Sequence, residues 1–209
     1  MVDDFLKSRY DLGMFYILYL LGTYLITSIP FGYILVKATR GIDIRTVASG
    51  NIGATNVTRA AGPLTGAITM ILDVGKGFIP AFLALRIFSM EFAIITGIVA
   101  VLGHSYTPYL RFKGGKGVST GFGAFLALFP IPVLVGFLVW LITFLLTRYV
   151  SLASILGTFS AFFTVTIIEK DILYPFVAFL AFVIIVIRHR SNISRLIKGE
   201  ERKFTIRKK

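Results

Sequence analysis

Cysteine is absent from the 209 residues of this sequence, and histidine occurs only at His104 and His189. Disulfide bonds and thiolate catalysis are therefore excluded. Neither histidine has a carboxylate nearby at the spacing of metal ligands, so we expect no metal site. We expect no cofactor either.

Charged residues are also scarce, at 15% of the chain against 56% hydrophobic residues, and the mean hydropathy is +0.83. A water-soluble domain of this size would carry far more charge. Apolar runs that approach ~20 residues, the length that crosses a bilayer core, recur along the chain. The first run is too long for a cleavable signal peptide. These features predict an all-α integral membrane protein, a polytopic helix bundle.

The apolar runs predict about seven transmembrane helices. We place them at Phe15–Val36, Pro63–Leu85, Phe92–Leu110, Val118–Phe129, Ile131–Thr147, Leu152–Ile168 and Ile172–Ile187. The fourth run is too short for an unperturbed bilayer, and Pro130 and Pro132 end it. Five or six crossings are therefore alternatives.

The net charge of +12 lies in the connections between these runs. This distribution follows the positive-inside rule and does not indicate nucleic-acid binding. With seven crossings, 17 lysines and arginines lie on one side and 4 on the other, with Lys76 inside a run. We therefore predict an N-terminus outside the cell and a cytoplasmic C-terminus.

Two polar stretches on the basic side are suited to binding an anion. "SGNIGATNVTRAAG" offers hydroxyl, amide and guanidinium groups at Ser49, Asn51, Asn56 and Arg59. "FKGGKGVSTG" lacks the spacing of a Walker A loop, but it places a lysine among glycines at the start of a helix. The anion-binding groups here are Gly114, Gly115, Lys116, Gly117, Ser119 and Thr120. An ordinary polar loop and a glycine-rich turn are the alternatives.

Two further stretches on that side carry polar groups on one helix face. "RYVSLASILG" presents Ser151 and Ser154 three residues apart, and "RHRSNISRL" presents His189, Asn192 and Arg195. Taken alone, the first also fits a helix cap and the second a basic flank. Four such stretches on one side together predict a phosphate-binding site at the membrane surface. Its ligand would be a small phosphorylated compound or a lipid with a phosphate head group.

Three polar residues lie inside or at the end of apolar runs. Asp73 and Lys76 are spaced to pair with each other, and they are either structural or line a polar cavity. We expect His104 to contact a backbone or loop partner and not to act as a base. An organophosphate or phosphate transporter would also collect cations and glycines, although such sites usually lie near the bilayer midplane.

Together, the ordered motifs "SGNIGATNVTR", "LDVGKG", "GHSYTPYLRFKGGKGVST", "VSLASI" and "RHRSNISRL" resemble the bacterial acyl phosphate:glycerol-3-phosphate acyltransferases of the PlsY type. The resemblance covers roughly residues 15–196. It implies a multi-pass enzyme of the bacterial inner (cytoplasmic) membrane, with its active site facing the cytoplasm. It implies acyl phosphate and glycerol 3-phosphate as substrates, with lysophosphatidic acid and inorganic phosphate as products. The sequence leaves the oligomeric state open.

We accordingly divide the chain into an N-terminal extension (1–14), a transmembrane catalytic domain (15–197) and a basic cytoplasmic tail (198–209) that contacts anionic lipid. The predicted catalytic residues are His189, Lys116, Ser154 and Arg59. The predicted substrate-binding residues are Ser49, Asn51, Asn56, Arg45, His104, Gly114, Gly115, Gly117, Ser119, Thr120, Asn192 and Arg195. We expect the leaving phosphate to take the hydroxyl proton, with His189 as the alternative base.

Overall fold

The computed structural model describes residues 2–205, and it describes side chains from residue 13 onward. The described chain is helical, without β-strands. The α-helices are α1 (Val2–Thr27), α2 (Phe31–Arg40), α3 (Ala54–Ala61), α4 (Pro63–Ile87), α5 (Met90–Ser105), α6 (Val118–Leu128), α7 (Pro130–Thr147), α8 (Val150–Ile168), α9 (Leu173–Arg188) and α10 (Arg190–Ile197). Short 3-10 helices lie at Ile44–Thr46 and Pro108–Leu110. From Val2 onward, the backbone of the predicted N-terminal extension belongs to α1, and its side chains up to residue 12 lie outside the described part. The last residues of the predicted basic tail, 206–209, also lie outside it.

The prediction of a polytopic helical membrane protein is confirmed. Five stretches of the described chain are long and apolar enough to cross a bilayer: Gly13–Arg40, Pro63–Ile87, Met90–Leu110, Pro130–Thr147 and Val150–Ile168. A sixth results if α9 and α10, which meet at a bend of 62°, are taken together. Helix α6, with 11 residues, is shorter than a bilayer core is thick. The number of seven crossings and the orientation of the termini stay predictions.

The first predicted span is broken in the middle. Helix α1 ends at Thr27 and α2 begins at Phe31, and Pro30, which lies between them, has no N–H group to continue a helix. The Nζ atom of Lys76 donates a hydrogen bond of 2.8 Å to the carbonyl of Ile29 in this break, and it lies 2.8 Å from Oδ1 of Asp73. Lys76 and Asp73 are both buried. Of the two interpretations of this pair, the structure therefore supports the structural one.

Glycines let the central helices approach closely. A methyl group at Gly77 of α4 would overlap the backbone of Thr120 in α6, and one at Gly123 of α6 would overlap the backbone of Val74 in α4. Gly136 and Gly157 meet in the same way between α7 and α8. These contacts hold α6, and therefore the glycine loop that precedes it (residues 114–117), against the bundle.

All four polar stretches lie at one end of the bundle. There, the guanidinium of Arg188 contacts the glycine loop, the backbone N–H of Phe204 donates to Arg148, and Arg59 donates to the backbone of Arg202. At the opposite end, the ring of Phe129 packs against that of Tyr174 at 5.8 Å between centroids. The predicted gathering of the polar motifs on one side is confirmed.

Candidate active site

A cavity of about 770 Å³ opens at the polar end of the bundle. Three separate segments line it: the connection after α2, the glycine loop before α6, and the junction of α9 with α10. Its polar lining includes Arg45, Ser49, Asn51, Lys113, Gly114, Lys116, Arg188, Asn192 and Arg195. The excess of cations over carboxylates in this lining makes the cavity suitable for anions.

Lys116 is a half-buried cation of this lining. Burial lowers the pKa of its ammonium group to about 8, although the Glu201 carboxylate acts in the opposite direction. The neighbouring guanidinium groups of Arg195, Arg59 and Arg188 lower this pKa further. An ammonium group surrounded by other cations gains much when an anion binds beside it.

The glycine loop presents a particular set of backbone groups. The N–H groups of Gly114 and Gly115 donate to the carbonyls of Ser105 and His104, at 3.2 and 3.0 Å. These two N–H groups are therefore already occupied, contrary to their predicted use for an anion. Gly117 has a φ of 84°, in the left-handed region, and it turns the chain into α6. The first turn of α6, which includes Ser119 and Thr120, has N–H groups without partners inside the helix, although neither of these residues lines the cavity.

His104 lies under the glycine loop and not in the cavity lining. Its side chain is buried, and its Nε2 atom occupies the place that a Cβ atom on Gly115 would need. Its Nδ1 atom lies 3.6 Å from Oδ1 of Asp73. The expectation that His104 contacts a loop partner is confirmed. In the structure it supports the loop from below and does not line the space for substrate.

His189 is buried at the junction of α9 and α10, and it does not line the cavity itself, although Arg188 and Arg190 on either side of it do. Its Nδ1 atom lies 2.8 Å from the carbonyl oxygen of Ile185. Burial, followed by the charge of Lys116, lowers the pKa of the imidazole to about 4. At neutral pH the ring is therefore uncharged, and since a carbonyl can only accept, Nδ1 carries the proton. The Nε2 atom is then left as a hydrogen-bond acceptor.

Glu201 is a carboxylate in this region that the sequence motifs did not indicate. It accepts hydrogen bonds from Ser151 at 2.7 Å, Asn192 at 2.6 Å and Arg195 at 2.7 Å. Burial acts to raise the pKa of Glu201, but these three donors outweigh it and hold the pKa below its usual value. The segment after α10 is thus fastened to α8 and α10.

The two serines of α8 have different hydrogen-bond partners. Ser151 contacts Glu201, as above, whereas the Ser154 hydroxyl donates to the Val150 carbonyl at 2.8 Å and accepts from Trp140 at 3.4 Å. Ser154, predicted as catalytic, is buried at the interface of α7 and α8 and does not line the cavity. Ser151 is the serine of this motif that lies among the polar site residues.

Asn56 organises the first polar loop, which is the connection between α2 and α3 (residues 41–53). Its Nδ2 atom donates to the backbone carbonyls of Val47 and Asn51, and its Oδ1 atom accepts from the N–H of Ser49. Because its polar atoms are used inside the loop and the side chain is buried, Asn56 does not bind substrate in this arrangement. Its bonds instead fix the backbone of Ser49 and Asn51, which line the cavity.

Two arginines of this region have partners of their own. Arg45 lies on the cavity wall and forms a close ion pair with Asp43, at 2.6 Å between Nη2 and Oδ2. This pairing lowers the pKa of Asp43 to about 2. Arg59 is half-buried, and burial followed by the nearby charge of Arg202 lowers the pKa of its guanidinium. Arg59 does not line the cavity but reaches the segment that carries Glu201.

Arg188, Ser151 and Glu201 were not among the predicted site residues. Arg188 was counted only as part of a basic flank, and Glu201 belongs to the tail, 50 residues from the serine that it contacts. The feature of the sequence that could have drawn attention to Glu201 is that it is one of two acidic residues in a strongly basic tail. Over residues 13–205, no cluster of three His, Asp or Glu side chains is arranged to hold a metal ion.

Comparison with known proteins shows the family of the chain. Residues 17–199 match the family model described as glycerol-3-phosphate acyltransferase. The chain is 46% identical to the glycerol-3-phosphate acyltransferase of Aquifex aeolicus (strain VF5), over 87% of this chain and 95% of that protein. It is 47% identical to that of Desulforamulus reducens, over 88% of this chain and 93% of that protein.

Comparison with solved structures indicates the same family. The crystal structure of PlsY (YgiH), an integral membrane glycerol 3-phosphate acyltransferase, in its glycerol 3-phosphate form superposes with a TM-score of 0.87 and 44% identity. It covers 91% of this chain and 96% of that chain. The lysophosphatidic acid form gives a TM-score of 0.83 and 42% identity, with the same coverage. The transporter alternative is thereby set aside, and the chain belongs to the glycerol-3-phosphate acyltransferase family.

Proposed function

We propose that this enzyme transfers an acyl chain from acyl phosphate to the 1-hydroxyl of glycerol 3-phosphate, giving lysophosphatidic acid and inorganic phosphate. The observation that carries the proposal is the enclosed ammonium of Lys116 in a cavity lined with cations. It is supported by the similarity to a protein whose structure is known in glycerol 3-phosphate and lysophosphatidic acid forms.

The reaction requires two phosphate groups close together, and the cavity offers two positions for them. One lies at the start of α6, where the ammonium of Lys116 joins the free N–H groups of the first helical turn. The other lies at the first polar loop, where Ser49, Asn51 and Arg45 line the wall. We assign one phosphate to each position. Asn192 and Arg195 close the site on the side of α10.

The chemical step is acyl transfer between two oxygen atoms. The 1-hydroxyl oxygen of glycerol 3-phosphate attacks the acyl carbon, and a new C–O bond forms. The C–O bond between the acyl carbon and the phosphate then breaks. Lys116 stabilises the negative charge that grows on the leaving phosphate, and the site contributes mainly by holding both reactants in position.

The departing phosphate takes the proton of the attacking hydroxyl. An imidazole with a pKa of about 4 is a weak base at neutral pH, whereas a phosphate dianion titrates near ~6. His189 has a different role in this scheme. Its imidazole does not line the cavity, whereas Arg188 and Arg190 on either side of it do. We assign its Nε2 atom to accept a hydrogen bond from the hydroxyl when the substrate binds beside them, which orients the oxygen toward the acyl carbon.

The cellular setting follows from the charge distribution. The excess of lysine and arginine on the site end of the bundle supports a cytoplasmic location of that end. The enzyme would then act at the inner face of the bacterial cytoplasmic membrane, with the acyl chain entering from the bilayer between apolar helix faces.

Purified enzyme supplied with glycerol 3-phosphate and one acyl donor at a time tests the proposal. Acyl phosphate should give lysophosphatidic acid and phosphate in equal amounts, and acyl-coenzyme A should give neither. Lys116→Ala should lose ~10²–10³-fold in kcat. Lys170→Ala, an exposed lysine at the opposite end of the bundle, serves as the control and should match the parent. Turnover with acyl-coenzyme A alone would contradict the proposed donor.

A further inference from the structure

Arg188, the last residue of α9, holds the glycine loop through two consecutive carbonyl groups. Its Nε atom donates to the carbonyl oxygen of Gly115 at 3.0 Å, and its Nη2 atom donates to that of Gly114 at 2.9 Å. Its guanidinium carbon also lies 5.0 Å from the ring centroid of Tyr106. The planar, forked guanidinium suits two acceptors at a fixed separation, and an ammonium group cannot reproduce this geometry.

The backbone N–H groups of Gly114 and Gly115 are held in place as well. The N–H groups of Gly114 and Gly115 donate to the carbonyls at the end of α5, and the ring of His104 fills the space beside Gly115. Both residues therefore have their N–H and their C=O groups engaged. Lys116 follows directly, so the direction in which its side chain leaves the loop depends on these two peptide units.

The carbonyl groups matter for charge as well as for shape. Carbonyl oxygens that turn toward a bound phosphate would repel it. Arg188 draws the carbonyls of Gly114 and Gly115 toward its own cation and so holds them away from the anion. Within residues 13–205, no carboxylate pairs with Arg188, so carbonyl groups and the Tyr106 ring are its main partners there.

We infer that Arg188 is a positioning residue for this reaction, which acts by fixing the carbonyls of Gly114 and Gly115 so that Lys116 meets the substrate phosphate. The inference rests on the proposed function, because the phosphate that Lys116 meets is a substrate of that reaction. It assigns to Arg188 a role that depends on the shape of the guanidinium and not on its charge alone.

Arg188→Lys tests this distinction, because it keeps the positive charge and removes the fork. We expect kcat/KM to fall about tenfold or more, with most of the loss in KM for one of the two phosphate substrates. Arg111→Lys is the matched control. Arg111 lies in the connection between α5 and α6, which also contains the glycine loop. It is exposed and does not line the cavity, so this variant should match the parent.

Arg188→Ala provides a second measurement that does not depend on a lysine side chain. Added guanidinium ion at millimolar concentration should restore part of the activity of Arg188→Ala and none of that of Lys116→Ala. Restoration also shows that the variant is folded. Parental kcat/KM in Arg188→Lys, or no restoration of Arg188→Ala by guanidinium, would overturn the inference. A parent enzyme that is inactive with acyl phosphate would instead overturn the proposed function.

Discussion

The Nδ1 atom of His189 lies 2.8 Å from the carbonyl oxygen of Ile185, one helical turn earlier. This hydrogen bond fixes the tautomer of a neutral imidazole and leaves Nε2 free to accept. Together with the lowered pKa of about 4, it makes His189 a poor group for removing a proton, and in the proposed scheme the imidazole orients the hydroxyl instead.

The pH dependence of kcat/KM should therefore show no acidic limb that belongs to His189 between pH 5.5 and 8. The imidazole is already neutral throughout this range, since its pKa is below it. His189→Gln should lower kcat/KM about tenfold or more by loosening the hydroxyl, and it should leave the shape of the profile unchanged. Steady-state rates from pH 5.5 to 8, corrected for titration of the substrates, measure this. An acidic limb near ~6.5 that disappears in His189→Gln would show that the histidine is the base.

Lys116 should produce an alkaline limb in the same profile. Its ammonium binds anions when protonated, and the lowered pKa of about 8 means that this charge is lost as the pH rises through 8. Lys116→Arg should retain some activity and lose this limb, because a guanidinium stays charged. A limb near pH 8 that remains in Lys116→Arg would assign the titration to another group.

Glu201 should contribute to stability through its three donors. Glu201→Gln keeps the size of the side chain and removes the charge, so we expect the free energy of unfolding to fall by about 1–3 kcal/mol. Because the pKa of Glu201 is lowered in the folded protein, its contribution is present above the ordinary carboxyl pKa and is lost as the pH falls through the lowered value. Thermal unfolding in detergent measures this, with Glu200→Gln, an exposed neighbour, as the control.

The same variant links Glu201 to Lys116. The Glu201 carboxylate raises the pKa of Lys116, so its removal should move the alkaline limb of kcat/KM to lower pH. A limb that stays in place, or equal loss of stability in Glu200→Gln, would contradict the described arrangement of the two side chains.

The predicted orientation can be measured by chemical labelling, since the parent has no cysteine. A cysteine at position 113 should react with a membrane-impermeant reagent only from the cytoplasmic side. A cysteine at position 170 should react only from outside. Labelling of both from the same side would mean that an even number of crossings separates them, and α6 would then not cross the membrane.

Much of the helical architecture was predictable, because uninterrupted apolar runs define helices that lie in lipid. The run predicted at Ile131–Thr147 is α7 (Pro130–Thr147), and Leu152–Ile168 is α8 (Val150–Ile168). The break at Pro30 was missed because the flanking residues are apolar on both sides, so hydropathy continues where backbone hydrogen bonding cannot.

The site was predictable only where its residues form a local pattern in the sequence. Local patterns indicated Lys116 and the turn into α6, since a lysine among glycines at a helix start is a local feature. The sequence could not show which serine of α8 faces the site, because Ser151 and Ser154 share one helix face. Nor could it show that Arg188 contacts Gly114, 74 residues away, or that Glu201 contacts Ser151, 50 residues away.

Acyl phosphate labelled with ¹⁸O at the oxygen that bridges the acyl carbon and phosphorus tests the central claim most directly. The enzyme is supplied with this donor and glycerol 3-phosphate, and the products are followed by ³¹P NMR. Attack at the acyl carbon predicts that all the label appears in the released inorganic phosphate, with one lysophosphatidic acid formed for each phosphate. Label retained in the fatty acid carboxylate, with no lysophosphatidic acid formed, would mean that the P–O bond breaks and would contradict acyl transfer.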